Sequence, residues 1–266
     1  MSLFIALSSI AAGAACALVL CLLLPRAHRL GLMDHPGERR RIHREAVPRI
    51  GGLGVFAGLM TMALLASLWK MTTGSGPEFL IDVPEIASGM SMSPSVAPMP
   101  LWTRSVIFGL LGAVVVVVIG VLDDRHHLSP RVRLLAQVGA GLLLSLGGGV
   151  RLDSLGDLFG FGPVDLGPLA VPFTVFALVG IINAFNMIDG IDGLAAGLYL
   201  IAMAGLLWLT PGPGLLPVLL LGAGAALVPF LVRNLELTGA RGGKVFLGDA
   251  GSQLLGYLLA WACVAG

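Results

Sequence analysis

Residues 104–124 read RSVIFGLLGAVVVVVIGVLDD. From Ser105 to Leu122 no side chain is ionisable, and the run then meets two adjacent aspartates. A hydrocarbon core about 30 Å thick needs about 20 apolar residues in a helix rising about 1.5 Å per residue. This run meets that need, and its charges begin where such a helix reaches the headgroups. The rest of the chain repeats the pattern. Of 266 residues, 56% are apolar and 12% charged, whereas a soluble domain carries about 25% charged residues. The mean hydropathy is +0.94. An all-α, polytopic transmembrane helical bundle is expected, a single integral membrane domain over residues 1–266. Eight spans are predicted at about 3–24, 50–70, 104–122, 132–149, 169–188, 193–210, 214–232 and 249–266.

The first run, Leu3 to Leu24, lacks a basic flank and exceeds the apolar region of about 7–15 residues found in a signal peptide, so it reads as a retained span. Cys16, Cys21 and Cys263 lie inside apolar runs without metal-ligand spacing and imply no disulfide framework. The cations divide unevenly. All of the 16 Lys and Arg residues except Lys70, Arg104 and Arg151 fall in segments 25–49, 123–133 and 233–248. The positive-inside rule therefore places those segments in the cytoplasm and both termini outside. Met71–Thr103 is rich in Pro, Ser and Met and reads as a flexible external excursion. Val150–Pro168 reads as a short hairpin or interfacial turn. No internal repeat is present.

Ionisable groups beside a membrane are expensive, so their placement is informative. Asp123-Asp124, Asp189 with Asp192, and Asp249 all abut apolar runs on the basic side. Adjacent aspartates on a helix point about 100° apart, which gives the first pair separate tasks: one faces a metal or substrate while the other is hydrogen-bonded or solvated. Asn183, Asn186, Asp189 and Asp192 recur at every third residue and share roughly one face if helical. Gly190 and Gly193 would let the chain turn and bring backbone N–H groups to a phosphate. Asp249 opens the last span, where a helix N-terminus favours anions and where Asp249 and Ser252 could instead cap the helix. Capping or solvation accounts for each cluster alone, but not for their convergence on one membrane side. Hard oxygen donors suit Mg²⁺ or Mn²⁺, with Mg²⁺ held through one or two carboxylates plus substrate phosphates. The basic loop from Gly31 to His43 supplies a clamp for anions.

Four blocks in order, DHPGERRRIHREAVPRIGG from Asp34, GVLDDRHHLSPRVRLLAQ from Gly120, NAFNMIDGIDGLAAG from Asn183 and KVFLGDAGSQLLG from Lys244, resemble the polyprenyl-phosphate N-acetylhexosamine-1-phosphate transferases. NMIDGIDGL together with GDAGS is closer to the WecA-type than to the MraY-type branch. The resemblance implies a bacterial inner-membrane enzyme whose cytoplasmic face binds Mg²⁺, a UDP-N-acetylhexosamine and undecaprenyl phosphate. It would transfer GlcNAc-1-phosphate, release UMP and initiate cell-envelope polysaccharide synthesis. It further implies Asp249 as first metal ligand, with Asp123 or Asp124 assisting at the metal or deprotonating the lipid phosphate. Asn183, Asn186, Asp189 and Asp192 would position nucleotide and sugar, while His43, Arg133 and Lys244 would hold phosphates. No nucleic-acid partner is expected, and a homodimer is left open. Family members continue into further spans and a cytoplasmic loop with a histidine-rich motif. His126 and His127 do not stand at that motif's position, so the segment is expected to be absent from this chain. The rival readings are an MraY-type phospho-MurNAc-pentapeptide transferase, a transporter and an inactive assembly subunit.

Overall fold

The computed structural model describes residues 2–36, 46–73, 101–158, 160–209, 215–237, 239 and 243–265. The helices are α1 (Ser2–Leu23), the short α2 (Ala27–Leu30), α3 (Gly51–Thr73), α4 (Leu101–His126), α5 (Pro130–Leu142), α6 (Ala170–Ile188), α7 (Leu194–Leu209), α8 (Leu215–Asn234) and α9 (Gly248–Ala265). A π-helical turn over Leu143–Gly147 prolongs α5. Each predicted span thus has its helix, and the ends shift by a few residues. The chain is an all-α polytopic membrane protein. Among the described residues, five stretches are long and apolar enough to cross a membrane: Leu3–Leu30, Gly51–Trp69, Arg104–His126, Gly167–Ile188 and Leu216–Asn234.

The other long helices differ for physical reasons. Helix α7 is shorter, at 16 residues. The first turn of α5 carries Arg131 and Arg133, started by Ser129, whose side chain accepts from the Val132 amide, and by Pro130 at the first helical position. Helix α9 begins with Asp249, Ser252 and Gln253, yet every residue from Ala250 to Ala262 is buried. A helix buried all round is the axis of a bundle, not a lipid-facing element. It packs among α3, α4, α6 and α7, while α1, α3 and α8 form a second mutually packed group.

Small residues let α9 sit at the centre. A Cβ on Gly52 of α3 would fall 2.2 Å from the Gly251 backbone nitrogen, and one on Gly120 of α4 would fall 2.3 Å from the Ala250 Cα. Backbones approach this closely only where side chains are absent. An amide ladder crosses the same region: Asn183 Nδ2 donates to Gln137 Oε1 at 2.6 Å, and Gln137 Nε2 donates to Gln253 Oε1 at 3.0 Å. It joins α6, α5 and α9, with Gln137 and Gln253 both buried.

Two features fall outside a purely helical reading. Strands β1 (Met33–Asp34) and β2 (Val47–Pro48) pair antiparallel, Met33 opposite Pro48. The 246–247 segment extends this pairing: Phe246 N donates to Pro48 O at 2.8 Å, Gly51 N to Phe246 O at 2.9 Å and Gly52 N to Leu247 O at 2.8 Å. The first loop and the lead-in to α9 are thereby stitched together. The predicted hairpin near Val150–Pro168 forms around an antiparallel bridge between Ser154 and Asp165. Most of the expected excursion, residues 74–100, lies outside the described residues. The three cysteines are free, Cys16 buried and the other two exposed.

Candidate active site

The ends of α4, α6 and α8 meet the start of α9 and the β1–β2 pair around one cavity of about 590 Å³, a size suited to a small-molecule ligand. Of the residues singled out in the sequence, Asp124, Asn186, Asp189, Asp192, Lys244 and Asp249 line it. Asn183 does not. One turn deeper on α6, its amide is spent on Gln137 and on the Val179 carbonyl. Asp123 and Arg133 stand beside the cavity, and His43 lies outside the described residues.

The two adjacent aspartates divide as their helical angle requires. Asp123 Oδ1 accepts from the Leu128 amide at 2.7 Å and its Oδ2 from Arg133 Nη1 at 2.7 Å, so it fixes the turn after α4 and the start of α5. Arg133 Nη1 also lies 3.9 Å from Asp249 Oδ2. Asp124 turns the other way. Its oxygens accept from the backbone N–H groups of Asp249 at 3.1 Å and Ala250 at 3.3 Å. The cap of α9 therefore comes from α4, not from Asp249 and Ser252. Ser252 Oγ is occupied with the Gly248 carbonyl at 3.1 Å and Asn186 Oδ1 at 2.9 Å. These two amides are consequently closed to an anion. Gly248 has φ +74°, and a Cβ there would sit 2.6 Å from Asp124 Oδ2, so both the turn and the cap require glycine.

The condition for a shared face from Asn183 to Asp192, a continuous helix, holds only as far as Ile188, where the predicted span also ends. Helix α6 stops at Ile188 with Asp189 as its C-cap, and Gly193 takes φ +72°. Asp189 and Asp192 thus belong to a turn, which still presents both to the cavity. The Gly193 N–H is not free for a phosphate, because it donates to Asn234 Oδ1 at 2.7 Å.

Asn234, Arg49 and Asp34 complete the polar side chains of the lining and were not among the sequence candidates. Asn234, at the end of α8 and 3% exposed, donates to the Val245 carbonyl at 2.9 Å and stands 3.5 Å from Asp192 Oδ1. It clamps the Asp192 turn to the segment leading into α9. Lys244 Nζ reaches Asp192 Oδ2 at 2.5 Å and lies 5.5 Å from the centre of the Phe246 ring. The only sequence signal for Asn234 was a polar residue ending an apolar run.

Five lining carboxylates, Asp34, Asp124, Asp189, Asp192 and Asp249, face two lining cations, Arg49 and Lys244. Burial pushes the Asp189 carboxyl up to about 8, with the nearby Asp124 and Asp192 adding to the rise and Arg49 opposing it. Among the described residues, no three His, Cys, Asp or Glu side chains group tightly enough to hold an ion unaided. A hard divalent cation bound through one or two carboxylates and completed by substrate phosphates needs no such group. The all-oxygen acidic donor set fits that cation.

Residues 106–266 match the model of glycosyl transferase family 4. The chain is 34% identical over 238 residues to the undecaprenyl-phosphate alpha-N-acetylglucosaminyl 1-phosphate transferase of Escherichia coli strain K12, covering 88% of this chain and 55% of that protein. It is 32% identical over 233 residues to the probable undecaprenyl-phosphate N-acetylglucosaminyl 1-phosphate transferase of Bacillus subtilis strain 168, covering 87% and 54%. The chain spans about half the length of the curated relatives it matches. With a family match running from α4 through the carboxylates at the start of α9, the chain belongs to glycosyl transferase family 4.

Proposed function

We propose that this chain carries the catalytic site of a phosphoglycosyl transferase, which moves GlcNAc-1-phosphate from UDP-GlcNAc to undecaprenyl phosphate and releases UMP. The observation that carries the reading is the acidic cavity, where five carboxylates and two cations gather at one end of a membrane bundle. The names of the relatives supply the transferred group and the acceptor lipid. The basic segments 25–49, 123–133 and 233–248, which carry most of the cations of the chain, argue for a cytoplasmic site in the bacterial inner membrane, with both termini outside.

A phosphate oxygen of the acceptor attacks the sugar-linked phosphorus of the donor. A new P–O bond forms to the lipid phosphate, the P–O bond to UMP breaks, and the electron pair leaves with UMP. Such transfers depend on positioning and electrostatics rather than covalent protein chemistry. Bound Mg²⁺, or Mn²⁺ in its place, would supply charge neutralisation for the diphosphate. Asp249 would be the first ligand of that ion with Asp124 beside it, while Asp123 keeps the α4–α5 turn and Arg133 in place. Asn186, Asp189 and Asp192 position nucleotide and sugar. Lys244, together with His43 and Arg133, holds phosphates. The acceptor phosphate is already largely ionised near neutral pH, since second phosphate pKa values lie near 6, so it needs little help from a base.

The test is mass spectrometry of the lipid fraction after incubating the purified gene product with undecaprenyl phosphate and either UDP-GlcNAc or UDP-MurNAc-pentapeptide. A GlcNAc-pyrophosphoryl lipid formed from the first donor is expected. Product from the second donor alone would replace the reading with the MraY-type reaction.

A further inference from the structure

Arg49 lies between β2 and α3, in the segment that the first loop shares with the lead-in to α9. Its backbone N–H donates to the Leu32 carbonyl at 2.9 Å, which fixes where the side chain starts. One guanidinium nitrogen, Nη2, is hydrogen-bonded to Asp34 Oδ1. The other, Nη1, stands 3.5 Å from Asp124 Oδ1. The Asp124 side chain is 2% exposed, and a carboxylate so enclosed requires both hydrogen bonds and a counter-charge. The α9 amides provide the first and Arg49 provides the second.

We infer that Arg49 is a positioning residue, its guanidinium fork joining Asp34 to Asp124 so that Asp124 stays turned onto the Asp249 and Ala250 amides and the start of α9 is held at the cavity. The planar fork matters as well as the charge, because one side chain must reach two carboxylates on different elements. Lysine brings the charge to a single point and can satisfy only part of the geometry. In Arg49→Gln the Asp124 carboxylate loses its counter-charge, and its hold on the α9 amides loosens. Asp249, on the same turn, then loses its fixed place relative to Asp189 and Asp192.

The experiment is hydrogen–deuterium exchange of the detergent-purified full chain, followed on peptides covering residues 248–252 and, as an internal reference, 257–261. In Arg49→Gln the first peptide should exchange about 10-fold faster or more while the reference peptide keeps its protection, and Arg49→Lys should fall between Gln and the parent. Unchanged exchange at 248–252 in Arg49→Gln overturns the inference. If that variant loses protection everywhere, Arg49→Lys decides: faster exchange confined to 248–252 supports the inference, and parental exchange overturns it. A kinetic arm rests on the proposed reaction. There Arg49→Gln should lower kcat for UMP release at least 10-fold with little change in KM for UDP-GlcNAc, with partial rescue by Lys. A rise in KM at unchanged kcat would overturn the positioning role and make Arg49 a substrate contact. A parent protein silent in that arm would count against the transferase reading, and the exchange arm would still decide Arg49.

Discussion

Asp249 and Asp124 meet on one backbone turn yet hold different stations, since Asp124 accepts from the Asp249 and Ala250 amides while the Asp249 side chain remains 30% exposed. On the proposed mechanism, Asp249→Asn should lower UMP release about 100-fold or more with the fold intact. Rates near parental in that variant would remove Asp249 from the metal site. Asp189 gives a pH signature in the metal-free protein. Its carboxyl is raised from 3.8 to about 8 on folding, so the folded state binds the proton more tightly than the unfolded chain. Its contribution to stability is therefore full below about 4 and lost as pH rises towards 8. Asp189→Asn should melt above the parent at pH 8, and thermal melting in detergent should show the gap narrowing towards pH 5. The sequence displayed the carboxylates but not their partners. Two adjacent aspartates on a helix must diverge, yet which of them caps α9 depends on contacts 125 residues away. Arg49 and Asn234 were hidden for the same reason, because their partners come from other elements.

Among the elements, α9 is the one most constrained by its neighbours. Gly52→Val would drive a side chain into the Gly251 backbone and should cost about 2–3 kcal/mol, in the range of overpacked cores. A lowered melting temperature, with reduced protection at the start of α9, would report it. Parental melting would mean that the α3–α9 contact is looser than it stands. Helix positions were legible because long apolar runs bounded by charge have few alternatives. The β1–β2 pair was not, since two-residue strands have no period to read. The end of α6 at Ile188 and the turn at the left-handed Gly193 were legible in the span boundary and the glycines, whereas the threefold spacing from Asn183 to Asp192 does not itself show where the helix stops. Asn183 pairs with Gln137 for a related reason: hydrocarbon offers an amide no solvent, so the nearest amide on a neighbouring helix becomes its partner.

For the whole molecule, the proposed orientation follows from the cation asymmetry, which is a property of the full sequence and of no single loop. A single cysteine placed at His127 in a cysteine-free background should react with a membrane-impermeant maleimide only in inverted vesicles, and one at Leu158 only in intact spheroplasts. The reverse pattern would put the acidic cavity outside the cell and exclude a cytoplasmic nucleotide sugar as donor. The bundle itself explains why chemistry gathers at one end: α9 is buried along almost its whole length, so its polar first turn is where the central helix meets the flanking carboxylates. A cation-dependent transferase site is tested by UMP release from the detergent-purified gene product given UDP-GlcNAc and undecaprenyl phosphate, with Mg²⁺ or with chelator. UMP should appear only when both substrates and the cation are present. UMP formed equally in chelator, or none formed with both substrates and Mg²⁺ supplied, would contradict a cation-dependent transferase site in this cavity.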